Sequence, residues 1–508
     1  MRSLRALWMS LVTSTCISSP LEGPLDYLEA LRLTNRIYAR LVGRRPVFDR
    51  REQYYEGKQP LSFATEEWKK ANAARYTGFS DNWTRPVVDA EGERIKHTGL
   101  KLGKGMDAAA EKLWNQWLYN EMEMQSSQGF VSSLITSRSF VIVWGDSNDE
   151  PTITWEHASD VEIEYDWANP RIRKAALKTW ADEKLEYATL YTPDQVWKFQ
   201  RSRSMSKDDK ESQAEQAKVN AVSEGGWVPR QLADEPWPLP NPIGVVPVVE
   251  IPNRPMLRGD PVSEIQGVMP MQDAINLLWA YLFLSADYAS MPARVVLHQG
   301  PPMTPILDTA TGKEIGKKAV DMKDLAEKRL LYLSGADTSI DSWDAAKLDV
   351  FTDTIEIAVG HIAAQTRTPP TYLVSKTGMS NVNGEGLKAS EIGLVKKTLE
   401  FQTFATPALR EVYRLVALAM GDQQLAQATR LATVAWMNPE IRSESQLADA
   451  LVKKKQMGYP LEYLMEVDGL DPLEVKRVLA MAARESEEAM SFGVQAAIDS
   501  EAPIEPTP

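Results

Sequence analysis

Cysteine is almost absent: Cys16 is the only one in 508 residues. A disulfide within the chain is therefore excluded, and so is any zinc site built on thiolates; a reducing cytosolic origin fits. Histidine is nearly as scarce. His97, His157, His298 and His361 stand far apart, and no pair has the four-residue spacing of a helical metal site. Long apolar runs are missing as well. The strongest, 274–284 (AINLLWAYLFL), contains Asn276 and reaches only about half of the ~20 residues that a membrane span needs. It reads as a buried helix, and no membrane partner is expected. Cationic excess is lacking too: 57 Lys and Arg stand against 70 Asp and Glu, a net charge of -13. That balance argues against nucleic-acid binding through a generally basic surface. It leaves room for DNA that passes nearby without sticking.

Catalytic motifs are also absent. No Gly-x-Ser-x-Gly elbow and no His-Glu-x-x-His pair occurs. Gly312-x-x-x-Gly316-Lys317 imitates a phosphate loop, but it is one residue short, and Lys318 stands where Ser or Thr would hold magnesium. Carboxylate pairs are plentiful, yet sequence does not bring any of them together. No enzyme activity, no cofactor and no metal are expected.

What the chain does hold is ordinary globular material, with 43% hydrophobic and 25% charged residues. Its length suggests roughly three or four packing units. Residues 1–20 loosely imitate a secretory signal. Their apolar run is short and no small-x-small site follows, so a flexible arm is expected over 1–25. A helical pattern over 25–41 places Arg32, Arg36 and Arg40 on one side, and Arg44, Arg45, Arg50 and Arg51 follow. The plain reading of this cluster is a solvated face; the sharper one is docking to an acidic neighbour. A helix over 106–128 precedes strand-like runs at 139–144, 152–166, 173–180 and 185–191, which make an α+β unit. Residues 201–218 read as an exposed insertion and 236–255 as a proline-rich strap.

A helical stretch over 263–290 follows, where Pro270 either starts the helix or kinks it. A small αβ insert over 292–342 comes next, with strands expected at 294–298 and 329–333. The helix at 349–367 is more telling. Phe351, Ile355, Ala358 and Ile362 form one apolar stripe, while Asp349, Asp353, Glu356 and Gly360 repeat on another face without lysine or arginine. Alone, that face is solvated, with Asp349 as the N-cap; in a ring of subunits it would line a hole with stacked acids. A long helix over 386–421 carries Leu387, Leu394, Phe401, Ala408 and Leu415 every seven residues, a core stripe kinked at Pro407. Between the two helices lies a polar loop. Pro369 and Pro370 end the first helix, and Gly384 and Gly386 relax the chain before the second. Roughly 20 residues without a strong period are unusual inside a compact domain. Several helices punctuated by Gly458, Pro460, Gly469 and Pro472 close the chain, with a disordered tail from Ser500.

Several segments together resemble one family. They are EQYYEGKQPLS (52–62), NWTRPVVDAEGERIKHTGL (82–100), SRSFVIVW (from 137), ITWEHASDVEIEYD (from 153), NRPMLRGDPVSEIQGVMPMQDAIN (253–276) and the polar loop. Their order and spacing resemble the portal proteins of tailed double-stranded DNA bacteriophages, particularly the type common in phages of actinobacteria. Pro86 and Gly92 depart from the pattern and put the local helix in doubt.

The resemblance implies an α+β portal fold, mostly helical, in a ring-forming subunit, usually of a dodecamer. It implies a wing (26–255, with the long helix 387–421), a first stem helix (256–290), a clip (291–348) and a second stem helix (349–367). A tunnel loop (368–386), a helical crown (422–495) and a tail (496–508) complete the map. Ser375, Lys376, Thr377, Ser380, Asn381 and Asn383 would then stand near DNA, and Asp349, Asp353 and Glu356 would line the channel. The implied partners are other copies of the chain, the terminase large subunit, a head-tail connector, capsid and scaffold proteins, and non-specifically held double-stranded DNA. The implied location is the virion, after assembly in the host cytoplasm. A virion structural or scaffold-binding protein without a channel is the alternative.

Overall fold

The computed structural model describes residues 24–60, 79–145, 150–203, 224–233, 235–290, 294–297, 303–309, 311–319, 339–342, 347–373, 384–440 and 444–500. In chain order the first elements are α1 (Tyr27–Glu56), α2 (Thr84–Gly92), β1 (His97–Lys101), α3 (Asp107–Tyr119) and α4 (Met122–Thr136). Strands β2 (Arg138–Gly145), β3 (Pro151–Glu156), β4 (Val161–Tyr165), β5 (Arg173–Ala181), β6 (Leu185–Tyr191) and β7 (Gln195–Ser202) follow. Then come β8 (Val228–Pro229), β9 (Leu239–Pro240) and β10 (Val248–Pro252). A helix α5 (Met269–Ser290) leads to β11 (Arg294–Leu297), β12 (Met303–Leu307), β13 (Glu314–Ala319) and β14 (Ser339–Ser342). The remainder is α6 (Asp349–Thr366), α7 (Pro370–Leu373), α8 (Gly384–Ala419), α9 (Gln423–Ala428), β15 (Thr433–Trp436), α10 (Glu444–Gln456), α11 (Leu461–Asp468) and α12 (Pro472–Ser500). Helices outweigh strands, and the strands form several small sheets. The chain divides into two compact units, one of residues 1–60, 82–270 and 360–508, the other of 61–81 and 271–359.

In the first unit, α1 packs on the sheet β4-β5-β6-β7-β8. Asp26 starts the helix with a capping box, its side chain accepting from Glu29 N at 2.7 Å while Glu29 returns the bond at 3.2 Å. Leu177 pairs with Leu190 and Leu190 with Trp197, so strand alternation puts all three on one face against Ala30, Leu33 and Ile37. The opposite face, with Val161, Ile163 and Ala176, packs against Phe140, Ile142 and Val248 of the three-stranded sheet β10-β2-β3.

That register explains the arginine cluster. Glu162 lies opposite Leu177 and Glu164 opposite Ala175, so both acids of β4 point to the face covered by α1. Arg36, Arg40 and Arg44 recur every four residues along α1 and meet them. Arg40 donates to Glu162 at 2.8 Å and Glu164 at 2.6 Å, Arg44 pairs with Glu162 at 2.6 Å, and Arg36 with Glu164 at 3.3 Å. Arg51 is buried and donates to Thr136 O at 2.7 Å. The cluster is therefore not simply solvated: the acidic neighbour belongs to the same chain, and α1 runs on through the cluster to Glu56.

Other expectations need correction. The alternating run 152–166 is two strands, β3 and β4, in different sheets, separated at 157–160. The strap 236–255 contains a ladder strand, β10, whose residues pair with β2 from Val248↔Ile142 to Pro252↔Arg138. The doubtful helix does form. Pro86 falls in the first turn of α2, where backbone N–H groups lack helical partners, and Asn82 Oδ1 accepts from Thr84 N at 3.1 Å. Gly92 ends it where a Cβ would stand 3.0 Å from Val131 Cγ2, so the glycine permits close packing on α4. Most of the insertion at 201–218 and the tail beyond Ser500 lie outside the described residues.

A buried aromatic cage closes the same unit where β1 pairs with β15. His97 is ringed by Trp114, Trp117, Tyr413 and Trp436. Its Nδ1 lies 2.8 Å from Ala435 O, which can only accept, so Nδ1 carries the proton and Nε2 accepts from Tyr413 OH at 2.7 Å. Burial pushes this imidazole down to about 4.

Pro270, the last residue before the second unit begins, falls at the start of α5, not at a kink within it. Asn276, the polar residue inside the apolar run, accepts from Asp81 N at 3.1 Å, and Trp279 Nε1 donates to Asp81 at 2.7 Å. Phe79 meets Phe283 edge-on at 5.2 Å. The insert holds two antiparallel pairs, β11 with β14 and β12 with β13. Gly316 and Lys317 sit in the second ladder opposite Ile306 and Pro305, which is strand backbone and not a phosphate cradle. The expected strand at 329–333 lies outside the described residues. No helix among the described residues is long and apolar enough to cross a membrane.

Candidate functional site

The candidate site is α6 and the polar excursion that joins it to α8. Helical spacing gives α6 one buried stripe, although the apolar Val350 and Ile357 are exposed with the acids. Ile355, Ala358, Val359, Ile362 and Ala363 are buried, while Asp349, Asp353 and Glu356 are exposed. Lysine and arginine are absent from Asp349–Thr366, and none of the three acids has an ion-pair partner among the described residues. Thr352 and Thr354 turn their hydroxyls back onto Asp349 O and Val350 O, at 2.9 and 2.6 Å, and so leave the carboxylates alone. Among the described residues the face is an uncompensated line of negative charge.

The end of α6 is fixed by a C-terminal cap of the Schellman type. Thr368 N donates to Ala363 O at 3.0 Å and Arg367 N to Ala364 O at 3.4 Å, with Arg367 in the left-handed region at φ 56. An arginine there is strained by about 1 kcal/mol relative to glycine. It is retained in a tight setting: a Cβ on Gly393 of α8 would stand 3.3 Å from both Arg367 Cβ and Arg367 O. Arg367 also pairs with Glu400 of α8 at 2.9 Å. Thus the turn leaving α6 is held against the helix that follows the excursion.

Arg94 ties the two ends together. It is buried, and it donates to Tyr372 OH at 2.7 Å on the outgoing side and to Pro439 O at 3.0 Å. On the returning side it lies 3.4 Å from Glu391. Residues 374–383 lie between these anchors, and Ser375, Lys376, Thr377, Ser380, Asn381 and Asn383 all fall in this stretch, outside the described residues.

Behind the anchors, α8 carries a buried charge cluster. Lys397 is wholly buried, with Nζ 3.0 Å from Glu91 and 3.1 Å from Glu264. Glu264 also takes Arg254 at 3.0 Å. Burial raises the Glu91 carboxyl above its ordinary range, against the pull of Lys397. The cluster fixes α8 to α2 and to the turn before α5, on the same helix that presents Gly393 and Glu391. Leu394, Phe401 and Leu415 of the seven-residue stripe are core residues, Ala408 is half-buried, and the helix continues through Pro407.

Sequence reasoning missed Arg94, Arg367, Gly393 and Lys397. Lys397 had a usable signal, because it stands between Leu394 and Phe401 on the apolar stripe. No group of three or more possible metal ligands occurs among the described residues.

The sequence matches known proteins over most of its length. The profile of the family described as "Phage portal protein, SPP1 Gp6-like" matches residues 35–488. A portal protein of Mycobacterium phage L5 is 26% identical over 392 residues, covering 73% of this chain and 71% of its own. One from Mycobacterium phage D29 is 26% identical over 434 residues, covering 78% and 80%. A solved chain from the neck of a native GTA particle, computed with C12 symmetry, superposes with a TM-score of 0.42 at 11% identity, covering 76% of this chain and 90% of that one. That superposition is too loose to carry an argument. The profile match spans most of the chain, including both helices that flank the excursion, and the chain belongs to the SPP1 Gp6-like family of phage portal proteins.

Proposed function

We propose that this protein is the portal subunit of a tailed phage of actinobacteria: a non-enzymatic ring, usually of twelve copies, through which double-stranded DNA enters and leaves the capsid. The observation that carries the reading is the acidic face of α6, with Asp349, Asp353 and Glu356 exposed and without an ion-pair partner among the described residues, in a chain of this family. DNA carries one negative charge per about 1.7 Å of axis, so a basic bore would bind it and stall movement. Acids within about 8–10 Å, one Debye length, repel it and keep it centred. In this reading α5 and α6 are the stem, residues 291–348 the clip and 422–495 the crown. Residues 368–386 form a tunnel loop whose Ser375, Lys376, Thr377, Ser380, Asn381 and Asn383 offer weak, sequence-blind phosphate contacts. Terminase, connector, capsid and scaffold proteins are its partners at the portal vertex of the virion. Both mycobacteriophage relatives support the host class.

Images of the purified full chain test the assembly: rings are expected, and a stable monomer at every concentration refutes it. Charge reversal at Asp353 and Glu356 tests the lining. Rings should still form while packaging falls; normal genome filling by Asp353→Lys/Glu356→Lys removes the electrostatic role.

A further inference from the structure

Within the first unit, the β4-β5 hairpin, β10 and the second half of α8 enclose a cleft of about 840 Å³. In an acidic chain this cleft is basic. Arg171, Arg173, Arg410, Arg414 and Arg430 line it against two carboxylates, Glu250 and Glu411. Both acids are already matched. Glu411 accepts two bonds from Arg414 at 2.7 Å and pairs with Arg173; Glu250 takes Arg138 at 3.2 Å and Tyr165 OH at 2.8 Å. Arg171, Arg410 and Arg430 have no carboxylate partner among the described residues, and the buried Nε of Arg410 has no hydrogen-bond partner there.

The cleft also has an apolar side. Phe404 and Pro407 belong to its lining; Ile172, on the lining too, is 46% exposed, and Leu431, next to Arg430, is 91% exposed. Guanidinium forks suit carboxylates and phosphates alike. Exposed Ile and Leu beside them suit a protein segment in which acids alternate with apolar residues; a phosphate backbone would leave them uncovered.

The chain carries such a segment. No Lys or Arg occurs from 485 to 508, whereas Glu485, Glu487, Glu488, Asp499, Glu501 and Glu505 do. Beyond α12, residues 501–506 read Glu-Ala-Pro-Ile-Glu-Pro, a sequence whose prolines favour extended chain. The helix before it leaves the body. Pro472 packs against Gly99 of β1, but every residue from 480 to 490 is exposed, and 29 helical residues extend about 43 Å. A helix of this length, exposed all round over 480–490, can present the segment beyond it to a neighbouring copy. We propose that segment 501–508 of one copy docks in the arginine cleft of a second copy, its Glu501 and Glu505 among Arg410, Arg430 and Arg171 and its Ile504 against Ile172 and Leu431. This does not depend on the portal reading, since any self-associating chain could use it.

The test places the photo-crosslinker benzoylphenylalanine at Ile504 in the full chain and mixes it with isotopically heavy copies. Crosslinks between light and heavy chains, mapped to 404–414, 430–431 or 171–173, are expected. Their yield should fall roughly tenfold or more in Arg410→Glu and Arg430→Glu. Arg430 is exposed, so Arg430→Glu should melt like the wild type, which separates docking from folding. Crosslinks confined to a single chain, crosslinks elsewhere, or yields indifferent to both arginine variants overturn the proposal. So does a short DNA duplex that binds the wild type and loses binding in the same variants while Ile504 crosslinks elsewhere.

Discussion

Removing Lys397 should expose the energetics of the helix that follows the excursion. In Lys397→Met the alkyl stem is kept and the ammonium is lost from a site with no solvent access. Glu264 retains Arg254 at 3.0 Å and also accepts from Asn253 Nδ2 at 3.3 Å. Glu91, nine-tenths and more hidden from water, loses the cation 3.0 Å away. Breaking a buried pair from one side costs about 3–5 kcal/mol, because a charge is left without compensation. The carboxyl has one escape, which is to take a proton, and burial already pushes it that way. A group whose folded pKa is raised contributes stability that is fully present below its unfolded value and is lost as pH rises through the folded value. The penalty should therefore be small near about pH 5 and full near about pH 8. Urea unfolding followed by tryptophan fluorescence reads both. Lys397→Met/Glu91→Gln should recover most of the loss at the higher pH, since no charge is then buried unpaired. A penalty under about 1 kcal/mol at the higher pH, or one equal at both, refutes the reasoning.

Other expectations follow from the same geometry. His97 is held neutral down to about 4 against an ordinary 6.5, so its contribution is complete above the unfolded value and is lost as pH falls toward the folded one. That is worth about 3 kcal/mol, and His97→Gln should flatten this part of the acid profile in thermal melts, though at lower stability throughout. An unchanged slope would assign the acid loss to other groups. Gly129→Ala would place a Cβ 2.0 Å from the Trp155 indole, so the denaturation midpoint should fall by the equivalent of about 1–3 kcal/mol; an unshifted midpoint contradicts the packing of α4 on β3. Arg94→Ala removes the bonds shared by Tyr372, Glu391 and Pro439, and limited proteolysis should then cut between 372 and 391 severalfold faster. Equal cutting rates would mean that the ends are anchored by something else.

What could be read in the sequence, and what could not, divides along one physical line. Local period is written in the chain. The stripe of Ile355, Ala358 and Ile362 and the seven-residue recurrence of Leu394, Phe401 and Leu415 placed α6 and α8 because a helix buries residues its own spacing brings together. Pairing between distant segments is not written there. Glu162 and Glu164 looked like part of one alternating run, and only the register of β4 on β5 turns them toward α1. The arginines of α1 then change from a solvated face to half of an ion-pair layer, with no residue altered. Lys397 shows the same limit. A lysine inside an apolar stripe ought to signal a buried charge, but the signal becomes a structure only when Glu91 and Glu264, far away in sequence, supply its partners. The candidate site follows this rule as well. Its acidic face is periodic, and so it was legible. Its anchoring depends on Arg94 reaching Tyr372 and Glu391, and on Gly393 leaving room for the left-handed Arg367, contacts that only the assembled fold creates. The excursion was picked out as a loop by composition. The assembled contacts add that both flanks of 374–383 are anchored by one buried arginine, Tyr372 and Glu391 meeting Arg94, so that changes within 374–383 should leave the fold that carries them undisturbed.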